Sequence, residues 1–424
     1  MISILVLMCS ILAGFFWPGA LWAGCFFTYQ VASITSSDSI STIYVVLAAG
    51  VAAFHALRRP PPLAFGMLDA AFLTFMTAYS MSASYMPSAA IGAQAAGQLW
   101  LSVGSMYLVG RLTCWPERLT QTVREMLTTV LIVGTVLAVI IFHSRTITTV
   151  RVARLAVGTG TDVGISGPFP FILAGAVATL MYHLNPKQLP RLAVAGLALV
   201  IVGYVSVYSA TRGVYVSMVG GLMVIYLAGR SRIRLKGLIT LGVMGLVGLI
   251  VAIPFMPHTQ ELQNAVLRLV GNFHGGAVAV DPSLIGRMYN YHMATTLFLQ
   301  HPYFGVGIGG FNYLTGIIYV HNIFLEMACE FGLLGLALEI TYLLVLFRSG
   351  FQLSAVYPEA GSILLGFIAV HLTHMLVSDT LSHAKMMFLF TAVIAGALAT
   401  LQQQKQKQRT AQPVAALGAE APAT

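Results

Sequence analysis

The chain has 424 residues, of which 58% are hydrophobic and only 8% charged, and its mean hydropathy is +0.84. Soluble domains carry roughly 25% charged residues, so this composition excludes an ordinary soluble protein. The net charge of +9 collects in a few clusters; these bear on orientation across a membrane, and no nucleic-acid partner is expected.

Apolar runs of about 17–25 residues argue for helical spans and against the short alternating strands of a barrel. Taken in order, the candidate spans are 4–33, 40–57, 64–86, 91–110, 125–143, 167–184, 192–210, 213–229, 237–256, 322–346, 361–377 and 385–401. Residues 2–33 are too few for two full spans and a turn. The first span is therefore predicted as one long or kinked helix, broken near Trp17-Pro18-Gly19. The N-terminal run lacks a basic flank and a convincing cleavage site, and reads as a retained span. The expectation is an all-α polytopic membrane protein with about twelve transmembrane helices. The four cysteines, Cys9, Cys25, Cys114 and Cys329, have no ligand spacing and read as small core residues.

Basic clusters fall at Arg58-Arg59, Arg111/Arg118/Arg124, Lys187/Arg191, Arg230 to Lys236, Arg348 and Lys405/Lys407/Arg409. The positive-inside rule assigns these loops and both termini to the cytoplasm. Residues 1–410 then form a single transmembrane domain, and 411–424 a compositionally disordered cytoplasmic tail. On the other side lie a loop at about 144–166 and a much longer one at about 257–321. Loops that long tend to be functional or disordered, and the aromatics and helical patterns near 261–270 and 284–300 predict order here.

The basic residues on that outer side are Arg145, Arg151, Arg154, Arg212, Arg268 and Arg287, with Lys385 the single lysine. Arginine keeps its charge when desolvated and offers phosphate a planar fork. Arg212, in Tyr208-Ser-Ala-Thr-Arg212-Gly213, sits in a turn short enough to hold it near membrane depth. An isolated cation there is costly, so it calls for an anion or a polar cavity. Phosphate binding and a structural pair with Asp379 both remain open. Asp379 itself could orient His321, pair an arginine or cap the last helix. The outer acids Asp162, Glu261, Asp281 and Asp379 form no close pair, so no metal is expected to bridge a diphosphate.

His321 precedes Asn322, which can cap the following helix, and follows a loop with glycines at 305, 307, 309, 310 and 316. Histidine titrates near neutral pH, so a neutral His321 could accept a hydroxyl proton. His371 and His374 share a helix face without a third ligand and read as packing or polar contacts. Gly305-Val-Gly307-Ile-Gly309-Gly310 fits G-x-G-x-x-G only formally, since no βαβ pattern surrounds it. Glu326 and Glu330, four apart on one helix, are expected to face the bundle interior, with functional and structural readings both open.

Several motifs together resemble the O-antigen ligase and polymerase superfamily of bacterial membrane glycosyltransferases. They are Ser209-Ala-Thr-Arg212-Gly213, Leu284-Ile-Gly286-Arg287, His301-Pro302-Tyr-Phe-Gly305-Val-Gly307, and His321-Asn322 leading through Glu326 to Glu330-Phe-Gly332. Arg151-Val-Ala-Arg154 ahead of Gly158-Thr-Gly160, and Ser378-Asp379 near the end of a late span, favour the ligase. The resemblance implies a GT-C-like fold and a site on the periplasmic face of the bacterial inner membrane. It implies transfer of a glycan from undecaprenyl diphosphate to a sugar of lipid A–core, inverting, with neither cofactor nor metal. Arg212 and Arg287 would hold the diphosphate and His321 would act as base. Arg151, Arg154, Asp379 and Asn322 are the further substrate-binding candidates. The alternatives are a polymerase, which takes lipid-linked glycan as acceptor, and a transporter of anionic lipid or glycan. The sequence displays neither the repeated halves nor the broken helices that transporters often carry.

Overall fold

In lipid every backbone N–H and C=O needs an internal partner, which restricts apolar spans to helices or closed barrels. The computed structural model of the chain is accordingly helical. It describes residues 2–35, 39–62, 64–143, 146–148, 154–156, 167–183, 188–209, 211–229, 282–377 and 380–418. The chain is an all-α polytopic membrane protein. Among the described residues six helices are long and apolar enough to cross a membrane. The expected span at 237–256 and the helical pattern at 261–270 lie outside the described residues.

The first expected span is not one helix. Helix α1 (Ile2–Gly14) ends in a tight turn in which Phe16 and Trp17 both donate to the Ala13 carbonyl. Helix α2 (Pro18–Thr35) then runs back along it. The reversal is visible in the pairing: a Cβ on Gly14 would stand 3.1 Å from Leu21, and one on Gly24 would strike the Ser10 hydroxyl. With 13 residues, α1 is about 20 Å long, short of the roughly 30 Å hydrocarbon core. Sequence reasoning found the break and the shortage of residues, but a helix apolar all round carries no signal that separates a kink from a reversal.

Helices α3 (Ser39–Arg58) and α4 (Met67–Met81) follow. Helix α5 (Ala89–Leu99) continues through a π turn at Trp100–Gly104, where Ser105 N–H donates to the Trp100 carbonyl, into α6 (Ser105–Leu112). Helix α7 (Leu119–His143) is followed by the one pair of strands among the described residues, an antiparallel ribbon of β1 (Thr146–Thr148) and β2 (Arg154–Ala156), with Thr148 opposite Arg154. Then come α8 (Phe169–His183), α9 (Leu189–Ser209), α10 (Arg212–Gly229), α11 (Pro282–Gln300), α12 (Gly310–Thr315), α13 (Ile323–Val356), α14 (Pro358–Met375) and α15 (Lys385–Gly418). Helix α15 runs on to Gly418.

One end of the bundle is tied by ion pairs. Arg111 meets Asp69 at 3.1 Å, and Asp69 also accepts from the Tyr107 hydroxyl and from Gly66 N–H. Arg124 grips Glu359 with two guanidinium nitrogens, at 2.7 and 2.5 Å. These basic residues belong to the clusters assigned above to the cytoplasm.

The other end is organised by a break in α13. Gly332 adopts φ 65°, ψ −159° within the helix, which frees the carbonyls of Cys329 and Glu330 and the N–H groups of Leu333 and Leu334. The loop 302–307 takes up all four: Val306 and Gly307 donate to Cys329 and Glu330, while Pro302 and Tyr303 accept from Leu333 and Leu334, at 2.8 to 3.3 Å. Such irregular backbone is tolerated at membrane depth only where protein or a cavity receives it. This corrects the reading that the chain has no broken helix. A long apolar run with one glycine does not announce where its hydrogen-bond ladder stops.

Candidate active site

Asn322 builds the start of α13. Its side-chain oxygen accepts from Leu325 N–H at 3.1 Å, satisfying an otherwise orphaned donor of the first turn. Its amide nitrogen donates to the Leu376 carbonyl just past α14 at 3.3 Å. One side chain therefore caps one helix and ties it to the end of another.

His321, immediately before, is held at φ 69°, and among the described residues no other non-glycine has a positive φ. That conformation costs on the order of 1–3 kcal/mol and persists only where its surroundings enforce it. Here Tyr291 of α11 donates its hydroxyl to the His321 carbonyl at 3.4 Å, and the imidazole packs edge-on against Tyr319, with ring centroids 4.4 Å apart. Asn290 donates to the Tyr319 carbonyl at 3.4 Å, fastening α11 to the same segment. Arg287 lies one helical turn ahead of Tyr291 on α11, so it shares the face that meets this segment.

Arg212 is the first residue of α10. A Cβ on the next residue, Gly213, would meet Val377 at 3.4 Å and the His374 ring nitrogen at 3.9 Å, so α10 begins against the end of α14. Further along, Gly220 and Gly221 sit against Thr373 and Val370, which fixes α10 antiparallel to α14 with close backbone approach. The end of α14 thus receives Arg212–Gly213 from one side and Asn322 from another. The structure brings His321, Asn322, Arg287 and Arg212 to one end of the bundle. Arg154 is placed in β2 of the ribbon, which touches α9 just before Arg212 in the chain. Arg151 and Asp379 lie outside the described residues, and so do the contacts of Asp379 with Arg212 or His321 considered above.

Beside this region opens a cavity of about 460 Å³, bounded by α4, α5, the 308–319 segment, α13 and residues 380–383. Glu326 and Glu330 both line it and are 6% and 5% exposed, as their spacing led us to expect. Glu326 accepts from the Thr380 hydroxyl. Glu330 accepts from the Tyr79 hydroxyl at 2.5 Å and from Phe311 N–H at 3.4 Å. Tyr319, the neighbour of His321, also lines the cavity and lies 6.3 Å, ring to ring, from His383.

With this geometry in place, the comparison with known families is specific. A family model described as O-antigen ligase matches residues 197–340. Over that stretch the chain is similar to the O-antigen ligase family. No curated protein matches it.

The O-antigen ligase match runs from within α9 into α13 and contains Arg212, Arg287, His321, Asn322, the glycine loop and the break at Gly332. It leaves out Arg151, Arg154 and Asp379, the candidates that rested on shorter motifs. Within the matched stretch, sequence reasoning missed Tyr291 and Tyr319. Tyr291 stands four residues after Arg287, a helical spacing that was available as a signal. Tyr79 and Thr380, far from the stretch in sequence, carried none.

Proposed function

We propose that this chain joins a glycan carried on undecaprenyl diphosphate to a sugar hydroxyl of lipid A–core, at the periplasmic face of the inner membrane. The observation that carries the reading is the meeting of Arg212, Asn322 and the strained His321 around the end of α14, with Arg287 one turn from the residue that holds His321. In this reading Arg212 and Arg287 grip the diphosphate oxygens. His321 takes the proton from the attacking hydroxyl as its oxygen bonds to the anomeric carbon. The bond from that carbon to the diphosphate oxygen breaks, and undecaprenyl diphosphate leaves with the electron pair. A single displacement inverts the anomeric centre. Fixed cations at the leaving group supply the larger share of catalysis, and a general base adds about 10²–10⁴-fold.

The GT-C-like fold, the twelve spans and the metal-independent chemistry belong to the same proposal. The outer-side arginines, in place of paired acids, support the metal-independent part. The broken helix does not argue for transport, because the loop 302–307 absorbs the freed backbone groups and leaves none of those four for an ion or substrate. The deciding experiment incubates purified protein with lipid-linked glycan and either lipid A–core or further lipid-linked glycan. Product on the core supports the ligase. Lengthened lipid-linked glycan alone would make it a polymerase, and no product with either would remove the glycosyltransferase reading.

A further inference from the structure

We infer that the cavity lined by Glu326 and Glu330 is a subsite for a neutral, hydroxyl-bearing sugar ring, distinct from the place that receives the diphosphate. This rests on the proposed transferase reading for its location and on the cavity's own chemistry for its ligand. At about 460 Å³ it falls within the roughly 300–1,000 Å³ typical of small-molecule sites.

Among the described residues lining it none is lysine or arginine, while two are buried glutamates. An anion such as diphosphate would meet carboxyl oxygens there with no guanidinium to offset them. A sugar hydroxyl, by contrast, can donate to a carboxylate and can both donate to and accept from a carboxamide. Gln94 and Gln98, one turn apart on α5, place two carboxamides on the wall that bounds the cavity. Tyr319 brings an aromatic ring suited to the apolar C–H face of a pyranose, and it is the ring against which His321 packs. A sugar seated here would lie beside the proposed base, with its charged partner outside the cavity. Two sources carry this chemistry: the accepting core sugar and the first sugars of the donor glycan.

The test uses the full-length purified chain and its Gln94→Ala/Gln98→Ala variant, with thermal unfolding in detergent as the check on folding. The probes are phosphate-free core oligosaccharide, glycan released from its lipid, and inorganic pyrophosphate. One of the two oligosaccharides is expected to bind, about ten-fold or more weaker in the variant, since two hydrogen-bonding groups are lost. Which one binds identifies the source. Pyrophosphate should not compete with it. Absence of binding by both oligosaccharides, equal binding by the variant, or competition from pyrophosphate would each overturn the inference. Binding without transfer by the wild type would sink the transferase reading and leave the subsite standing. Transfer with unchanged KM for both substrates in the variant would do the reverse.

Discussion

Gly332 faces the backbone of Tyr303 so closely that a Cβ on Gly332 would stand 2.4 Å from the Tyr303 carbonyl carbon. The approach is reciprocal, since a Cβ on Gly305 would stand 2.3 Å from the Glu330 carbonyl carbon. Both glycines also hold positive φ, at 65° and 68°. The two motifs His301–Gly307 and Glu330–Gly332 are therefore the halves of one structural joint.

Gly332→Ala and Gly305→Ala should each abolish transfer and sharply reduce the folded yield, because neither the conformation nor the space admits a side chain. Gly316→Ala is the control: its φ is 70°, but nothing lies within 4 Å of the added carbon. It should cost only about 1 kcal/mol. Thermal unfolding of the three purified variants decides this, and equal effects at Gly316 and Gly332 would refute the joint.

His321→Ala should lower transfer by about 10²-fold or more with donor binding retained, as expected for loss of a general base. His321→Gly should be just as inactive yet more stable than His321→Ala by about 1 kcal/mol, since glycine tolerates φ 69°. Turnover and melting temperature measured on the same two preparations test both halves. Activity within a few-fold of wild type in either variant would remove His321 from the mechanism.

Arg212→Lys and Arg287→Lys should both be strongly impaired despite retaining charge. A guanidinium can bind two phosphate oxygens at once, whereas an ammonium acts as a point charge. Donor affinity and turnover for the Lys and Ala variants are the measurement. Near-normal turnover in both lysine variants would end the diphosphate-clamp account, as would normal donor affinity in both alanine variants.

Transfer should continue in excess EDTA. If it stopped and returned with magnesium or manganese, the arginines would not be sufficient for the diphosphate.

Much of the site was legible because its parts are local. Asn322 is a cap residue just before an apolar run, and it caps α13. The motifs between Ser209 and Gly332 fall inside the stretch 197–340 that matches the family model. What escaped was everything that depends on one segment meeting another. The glycines of the loop suggested tight folding, but not that Gly305 and Gly307 serve a break in α13 about 25 residues on in the chain. Glu326 and Glu330 were placed inward by their spacing, yet their partners Thr380 and Tyr79 come from α14's exit and from α4. The reversal at Phe16–Trp17 was hidden because α1 and α2 have no polar face to show which side each turns inward.

The π turn at Trp100–Gly104 sets the rotational phase of the helix that walls the cavity. An extra residue accommodated there offsets everything N-terminal to it by about 100° relative to a continuous α-helix. Tyr107 reaches Asp69 on one side of the turn while Gln94 and Gln98 border the cavity on the other. Deleting a single residue, Ser102 for example, would restore regular pitch without removing any group that touches the cavity. It would nonetheless swing both glutamines about a quarter-turn out of line, so the polarity of that wall depends on a residue count as much as on residue identity.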